Sequence, residues 1–214
     1  MAGKRQRSWS PKGLANMLTI LRICVIPLFL FAFAYGHQHA KTERTSAAWF
    51  YFGALAVFGL ASITDYLDGR IARARGITDF GKFLDPIADK LLVLATLYAF
   101  KHWGGLVPLW MILIMAGREI GVTLLRSALL ARGGRVISAS QWGKMKTASQ
   151  MTILIASMLV LIANSAAGYP VSQVQTNHGP IFWMMMVPLA LTVVSGLEFL
   201  YNNRTQFRAL AVRG

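Results

Sequence analysis

The chain has 214 residues, of which 55% are hydrophobic and 14% are charged, and its mean hydropathy is +0.49. Soluble domains carry fewer apolar residues and about 25% charged ones, so the composition favours one integral membrane domain. The net charge of +14 fits attraction to anionic headgroups and phosphorylated substrates. No basic soluble domain is visible, which argues against nucleic-acid binding. The single cysteine, Cys24, excludes an intrachain disulfide.

Residues 1–15 carry several basic side chains beside Trp9. This pattern is typical of an amphipathic segment that lies on lipid headgroups. A cleaved signal peptide is the weaker interpretation, because Arg22 would interrupt its apolar region. We therefore predict an interfacial segment over residues 1–15, a six-helix transmembrane domain over 16–203, and a basic cytosolic tail over 204–214.

Apolar runs of about the length that crosses a bilayer recur along the chain. Membrane-spanning helices are predicted at residues 17–36, 46–64, 84–101, 106–130, 148–168 and 181–201. The third predicted span is short and begins with acidic residues, and the fourth is interrupted by Arg118 and Glu119. Since charges within spans normally face the bundle interior, these two helices are expected to line a polar cavity.

The basic residues are distributed unevenly between the two sets of predicted loops. Of the 22 Lys and Arg, only Lys41, Arg44 and Lys101 lie near the loops that follow spans one and three, and residues 169–180 have none. By the positive-inside rule, both termini and the segment 65–89 are expected on the cytosolic side.

Five of the eight acidic residues fall where the second predicted span passes into the third. Four of them form two pairs, Asp65 with Asp68 and Asp85 with Asp89, which are three and four residues apart. On helices each pair shares a face. Carboxylates at membrane depth usually mark function, and their oxygens suit hard cations such as Mg²⁺ or Mn²⁺. The two pairs are predicted to hold one or two such ions; the alternative is that they only pair with neighbouring arginines.

Small and basic residues between these aspartates extend the pattern. The full pattern is Asp65-x-x-Asp68-Gly69-x-x-Ala72-Arg73, followed by Gly81-x-x-x-Asp85-x-x-x-Asp89. It resembles the signature of the CDP-alcohol phosphatidyltransferases, and the six-span organisation agrees along essentially the whole chain. Seven residues separate Arg73 from Gly81, where the family commonly has eight.

The resemblance implies an all-α integral membrane fold, in which a short N-terminal interfacial helix precedes a bundle of six transmembrane helices, usually as a homodimer. Members move a phosphatidyl group from CDP-diacylglycerol to an alcohol, release CMP, and need Mg²⁺ or Mn²⁺, with two ions expected here. The metal ligands would be Asp65, Asp68, Asp85 and Asp89, and Asp89 would also be the catalytic base. The floor of the CDP-diacylglycerol site would be formed by Gly69, Ala72, Arg73 and Gly81.

Basic residues outside the signature bear on the acceptor alcohol. The segments Asn16–Arg22, Gly117–Arg126 and Gly143–Gln150 resemble the branch of the family that uses sn-glycerol 3-phosphate. A phosphate monoester, with a charge of about −2, needs a cluster of cations, and arginine can bind it bidentately. The residues expected to bind this phosphate are Thr19, Arg22, Arg118, Arg126, Lys144 and Lys146. The alternatives are ordinary positive-inside charge for Arg126, Lys144 and Lys146, and snorkelling to headgroups for Arg22. Thr19 could instead cap the start of its helix, and Arg118 could pair with Glu119 or snorkel separately.

The expected function is transfer of a phosphatidyl group to sn-glycerol 3-phosphate at the cytosolic face of a bacterial inner membrane. The nearest alternative keeps this chemistry with inositol phosphate, serine or phosphatidylglycerol as acceptor. A divalent-cation transporter is more remote, because transport sites usually lie near the membrane midplane and these acids gather at one face. A non-catalytic lipid-binding scaffold would predict that Asp89→Asn leaves function intact.

Overall fold

The computed structural model describes the backbone of residues 11–75, 79–131, 141–174 and 179–212. Within these ranges, the side chains that lie outside the description are those of residues 11–19, 44, 65–75, 79–89, 130–131 and 207–212. The described backbone is all helical and contains no strand, as the sequence predicts.

The described part of the chain contains six α-helices and one short 3₁₀ turn. Their bounds are α1 (Pro11–His39), α2 (Arg44–Arg75), α3 (Asp79–His102), α4 (Leu109–Ala131), α5 (Gln141–Ala166), the 3₁₀ turn (Val171–Gln173) and α6 (Pro180–Val212). Each predicted span corresponds to one α-helix. Several helices extend further on the side predicted to be cytosolic, because helical hydrogen bonding can continue from apolar into charged sequence.

Four of the described helices contain segments that are long and apolar enough to cross a membrane. These segments are Ile20–His39, Thr45–Thr64, Gln141–Ala166 and Pro180–Gln206. Among the described residues, α3 and α4 offer no such segment, and α4 carries Arg118, Glu119 and Arg126 within its apolar sequence. The integral membrane character is therefore shown by four helices, and the crossing of α3 and α4 stays a prediction.

The predicted interfacial segment is described only at its end. Residues 1–10 lie outside the description, and residues 11–15 form the first turns of α1. Pro11 opens this helix, a position that suits proline because the N–H it lacks would have no helical partner there. The predicted boundary at residue 15 therefore does not coincide with a break in the helix.

Aromatic side chains hold the first three helices together. Phe33 on α1 contacts Tyr51 on α2 and Phe100 on α3, with ring centroids 5.4 and 5.6 Å apart. Phe29 meets Phe58 of α2 at 6.2 Å, and all five rings are at most 1% exposed. Because buried aromatic rings remove large apolar areas from solvent, α1 firmly links the two helices that carry the paired aspartates.

The remaining helices complete the bundle around α5. α5 packs against α2 and α6, whereas α4 packs against α6 and α3. Large apolar side chains on the outside are more than half exposed, among them Trp49, Leu113, Trp183 and Leu197. Exposed apolar side chains on several helices fit a surface that faces lipid.

Candidate active site between α2, α3, α4, α5 and α6

The first half of the signature lies on one face of α2. Asp65, Asp68, Gly69 and Ala72 occupy positions i, i+3, i+4 and i+7, and α2 is unbroken to Arg75. Helical geometry therefore places these four positions in one stripe. Their side chains, and that of Arg73, lie outside the described part, so the roles predicted for them stay predictions.

The second half of the signature opens α3. Gly81, Asp85 and Asp89 are spaced by four residues, and their side chains also lie outside the described part. The same ridge of the helix continues to Val93 and Leu97, whose side chains line a cavity. The predicted metal ligands on α3 are thus followed directly by the cavity wall.

The cavity lies between α3, α4 and α5 and has a volume of about 230 Å³. Its polar lining consists of Lys90, Glu119, Thr147 and Gln150. The apolar lining consists of Val93, Leu94, Leu97, Met115, Ala116 and Met151. Since Lys90 follows Asp89 in the chain, the polar lining begins beside the predicted metal ligands.

Ionic and polar contacts tie the cavity walls together. Lys146 of α5, whose side chain is 2% exposed, forms an ion pair with Glu119 of α4, which is 22% exposed. Lys90 of α3 donates a hydrogen bond to the hydroxyl of Thr123 on α4. A buried ammonium group is costly unless it is paired, so Glu119 is the group that allows Lys146 to lie here.

The two arginines of α4 contact α6. Arg118 Nη2 donates a hydrogen bond to Ser195 Oγ at 2.9 Å, and its aliphatic stem lies over Gly196. Two turns further along α4, the guanidinium carbon of Arg126 lies 5.9 Å from the centroid of the Phe199 ring. The ion pair between Arg118 and Glu119 that the sequence left open does not form, since Arg118 bonds Ser195 and Glu119 bonds Lys146.

These cations affect one another through space. Arg118 lies close enough to Arg126 for like-charge repulsion, and Lys146 is repelled in the same way by Arg118 and Lys90. The described contacts of Arg118 and Arg126 are to neutral groups, and no carboxylate among the described side chains pairs with either arginine. A concentration of positive charge between packed helices favours the binding of an anion.

The other residues predicted to bind the acceptor phosphate occupy different positions. Lys144 is exposed near the start of α5, and Arg22 is buried on α1 with 2% of its surface exposed. Thr19 also lies on α1, and its side chain is outside the described part. The structure thus gathers the two α4 arginines and the buried lysine of α5 into one cluster.

Four residues of this region were not singled out from the sequence. They are Thr147 and Gln150 on the cavity wall and Ser195 and Gly196 beside Arg118. Glu119 lines the cavity, as expected for a charge within the fourth predicted span. Small residues such as Ser195 and Gly196 within an apolar span are a usable signal, because they allow close helix contacts. Which helix they would meet was not readable from their spacing.

Comparison with known proteins covers most of the chain. The CDP-alcohol phosphatidyltransferase family model matches residues 12–194. A Mycobacterium tuberculosis protein named "Probable phosphatidylglycerophosphate synthase" is 39% identical over 188 residues, which cover 87% of this chain and 79% of that protein. A Bacillus subtilis protein named "CDP-diacylglycerol–glycerol-3-phosphate 3-phosphatidyltransferase" is 35% identical over 196 residues, which cover 89% of this chain and 95% of the relative.

A further relative carries a different name. A rice protein named "Cardiolipin synthase (CMP-forming)" is 32% identical over 191 residues, which cover 83% of this chain and 54% of that protein. No solved structure matches the chain at a significant level. Since the family model covers most of the sequence, including the paired aspartates and the basic cluster, the chain belongs to the CDP-alcohol phosphatidyltransferase family.

Proposed function

We propose that the protein transfers a phosphatidyl group from CDP-diacylglycerol to sn-glycerol 3-phosphate and forms phosphatidylglycerophosphate and CMP. The observation that carries this proposal is the similarity, over most of the chain, to relatives named for this reaction. The cluster of Arg118, Arg126 and Lys146 supports it, because an acceptor that bears a phosphate needs such cations.

The paired aspartates are the proposed site of two divalent cations, Mg²⁺ or Mn²⁺. The donor set fits these ions, since Asp65, Asp68, Asp85 and Asp89 offer carboxylate oxygens from two helices. Among the residues whose side chains are described, no group of three or more acidic, histidine or cysteine residues competes for this role. When bound, the cations would neutralise charge on the diphosphate and on the departing CMP.

The chain's own residues would bring the substrates together and remove one proton. Gly69, Ala72, Arg73 and Gly81 would hold the CDP group of the lipid. The free primary hydroxyl of glycerol 3-phosphate then attacks the phosphorus linked to diacylglycerol, and the bond from that phosphorus to CMP breaks. Asp89 would accept the hydroxyl proton.

The acceptor would enter from the basic cluster. Its phosphate would meet Arg118, Arg126 and Lys146, with Thr19, Arg22 and Lys144 as further proposed contacts. A cavity of about 230 Å³ is smaller than sites for drug-sized ligands, which measure about 300–1,000 Å³. It therefore suits a small polyol phosphate better than a whole lipid.

The decisive test is release of CMP by the purified full-length protein. With CDP-diacylglycerol and Mg²⁺, we expect release only when glycerol 3-phosphate is added, and none from Asp89→Asn. Release in the absence of glycerol 3-phosphate, or with another alcohol alone, would show that the proposed acceptor is wrong.

The rice relative favours one second candidate, a transfer to phosphatidylglycerol that yields cardiolipin. This reaction uses the same lipid donor and the same leaving group. Replacing glycerol 3-phosphate by phosphatidylglycerol in the CMP assay separates the two candidates, and chromatography of the lipid product identifies which was made.

The proposed arrangement in the membrane has α3 and α4 crossing as well, and both termini and the active site at the cytosolic face of a bacterial inner membrane. The proposed assembly is a homodimer.

The proposed orientation can be tested at the two ends of α5. Gln141 and Ser172 are exposed beyond opposite ends of the apolar part of this helix. In a Cys24→Ser background, we expect the thiol of Ser172→Cys to react with an impermeant thiol reagent in intact cells. The thiol of Gln141→Cys should react only after permeabilisation.

A further inference from the structure

We propose that Ser195 and Gly196 on α6 are positioning residues that direct Arg118 to the acceptor phosphate without cancelling its charge. This inference rests on the proposed function, because it concerns the acceptor site of that reaction. The contact joins α4 to α6 across 77 positions of sequence, whereas the ion pair of Lys146 with Glu119 joins α5 to α4.

The hydroxyl of Ser195 is fixed by two hydrogen bonds. It donates to the carbonyl oxygen of Thr192 at 3.1 Å and accepts from Arg118 Nη2 at 2.9 Å. The residue is 1% exposed, so water does not compete for the oxygen. Because the donation to the helix backbone sets the direction of the remaining lone pairs, Ser195 offers Arg118 an acceptor of defined direction.

Gly196 makes room for the stem of the same arginine. A Cβ atom built at residue 196 would lie 3.3 Å from Arg118 Cγ and 3.9 Å from its Nε. The first distance is shorter than comfortable carbon–carbon contact, so a Cβ atom here would require the Arg118 stem to shift by a few tenths of an ångström. Gly117 and Gly121, the described glycines of α4, have open space at the same distance. The absence of a side chain at residue 196 therefore matters for where Arg118 lies.

The charge of the partner distinguishes Arg118 from Lys146. Glu119 neutralises Lys146, whereas Ser195 orients Arg118 and has no charge of its own. Arg118 Nε has no hydrogen-bond partner in the described part of the chain. A preoriented guanidinium that keeps its charge and a free donor is suited to bind a phosphate, since the cost of ordering the side chain is already met by the protein.

A purely structural role makes a different prediction. If the contact only ties α4 to α6, its loss should lower stability and affect both substrates alike. If it positions Arg118, its loss should weaken the binding of the phosphate-bearing acceptor and leave the lipid donor unaffected. Kinetic constants measured separately for the two substrates distinguish these roles.

The experiment uses the full-length protein and compares Ser195→Ala with the wild type in the CMP assay. We expect the KM for glycerol 3-phosphate to rise about tenfold, as for the loss of one hydrogen bond to a charged group. The Ki of inorganic phosphate should rise by a similar factor, whereas kcat and the KM for CDP-diacylglycerol should stay within about twofold. Ser195→Thr keeps the hydroxyl and should restore the acceptor KM.

A second pair of variants distinguishes the loss of Arg118 positioning from misfolding. Gly196→Ala should also raise the KM for glycerol 3-phosphate, and its matched control Gly121→Ala should not. Ser157→Ala is the control for Ser195→Ala and should leave the acceptor KM unchanged, because this buried hydroxyl on α5 donates to the carbonyl oxygen of Ile153 at 2.7 Å and does not bond Arg118.

Two outcomes would overturn the inference. If Ser195→Ala and Gly196→Ala leave the acceptor KM and the phosphate Ki unchanged while the wild type uses glycerol 3-phosphate, the residues do not position Arg118 and the proposed function stands. If the wild type needs no phosphate-bearing acceptor, the proposed function and this inference are both wrong.

Discussion

The buried ion pair between Lys146 and Glu119 allows a quantitative prediction. Glu119→Gln keeps the shape of the side chain and removes its charge. Lys146, 2% exposed and repelled by Arg118 and Lys90, would then be left without its carboxylate. Removing one partner of a buried pair costs about 3–5 kcal/mol, because the other charge remains desolvated.

The exposure of the two side chains predicts an asymmetry. Lys146→Met leaves Glu119 uncompensated, but Glu119 is 22% exposed and water can solvate it in part. We therefore expect Lys146→Met to destabilise less than Glu119→Gln. The double variant should recover most of the loss, since it contains neither buried charge.

Thermal unfolding in detergent, monitored by tryptophan fluorescence, measures these differences in stability. For a chain of this size, about 1 kcal/mol shifts the melting temperature by about 2–4 °C, so Glu119→Gln should melt roughly 6–20 °C lower. Two results would refute this prediction. Glu119→Gln could have the melting temperature of the wild type, or the stability losses of the two single variants could simply add in the double variant.

Three further outcomes are expected. Asp89→Asn should lower CMP release by at least about a hundredfold with an unchanged circular dichroism spectrum, as for the loss of a catalytic base. A chelator should abolish release by the wild type, and added Mg²⁺ or Mn²⁺ should restore it; full activity after chelation would contradict the proposed metal site. Gly104→Ala should destabilise by about 1–3 kcal/mol, because its Cβ would lie 2.8 Å from Leu106 and 2.9 Å from the carbonyl oxygen of Phe100. In the control Gly53→Ala the added Cβ lies in open space, so the variant should have the melting temperature of the wild type.

The sequence predicted the features that depend on local pattern. Apolar runs located the helices, and the spacing of Asp65 and Asp68 predicted that they share a face of α2, where they occupy helical positions. The helix ends were less well predicted: α2 continues to Arg75 and α6 to Val212, both beyond the apolar runs. Hydropathy reports the part of a helix that fits the hydrocarbon, and helical hydrogen bonding does not end there.

The family, too, could be inferred from the sequence alone. The pattern from Asp65 to Asp89 is long, and each of its positions lies within a short stretch of chain, so no tertiary information is needed to recognise it. The match of the family model to residues 12–194 confirms this inference. The roles of the individual aspartates stay predictions, since their side chains lie outside the described part.

Only the tertiary structure decided the partners of the charged residues on α4. Arg118 and Glu119 are neighbours in sequence, yet Arg118 bonds Ser195 on α6 and Glu119 pairs with Lys146 on α5. Successive side chains on a helix point about 100° apart, so adjacent charges face different neighbours. Which neighbours they meet depends on how the helices pack, and that arrangement is set by the whole core and not by the spacing of residues along one helix.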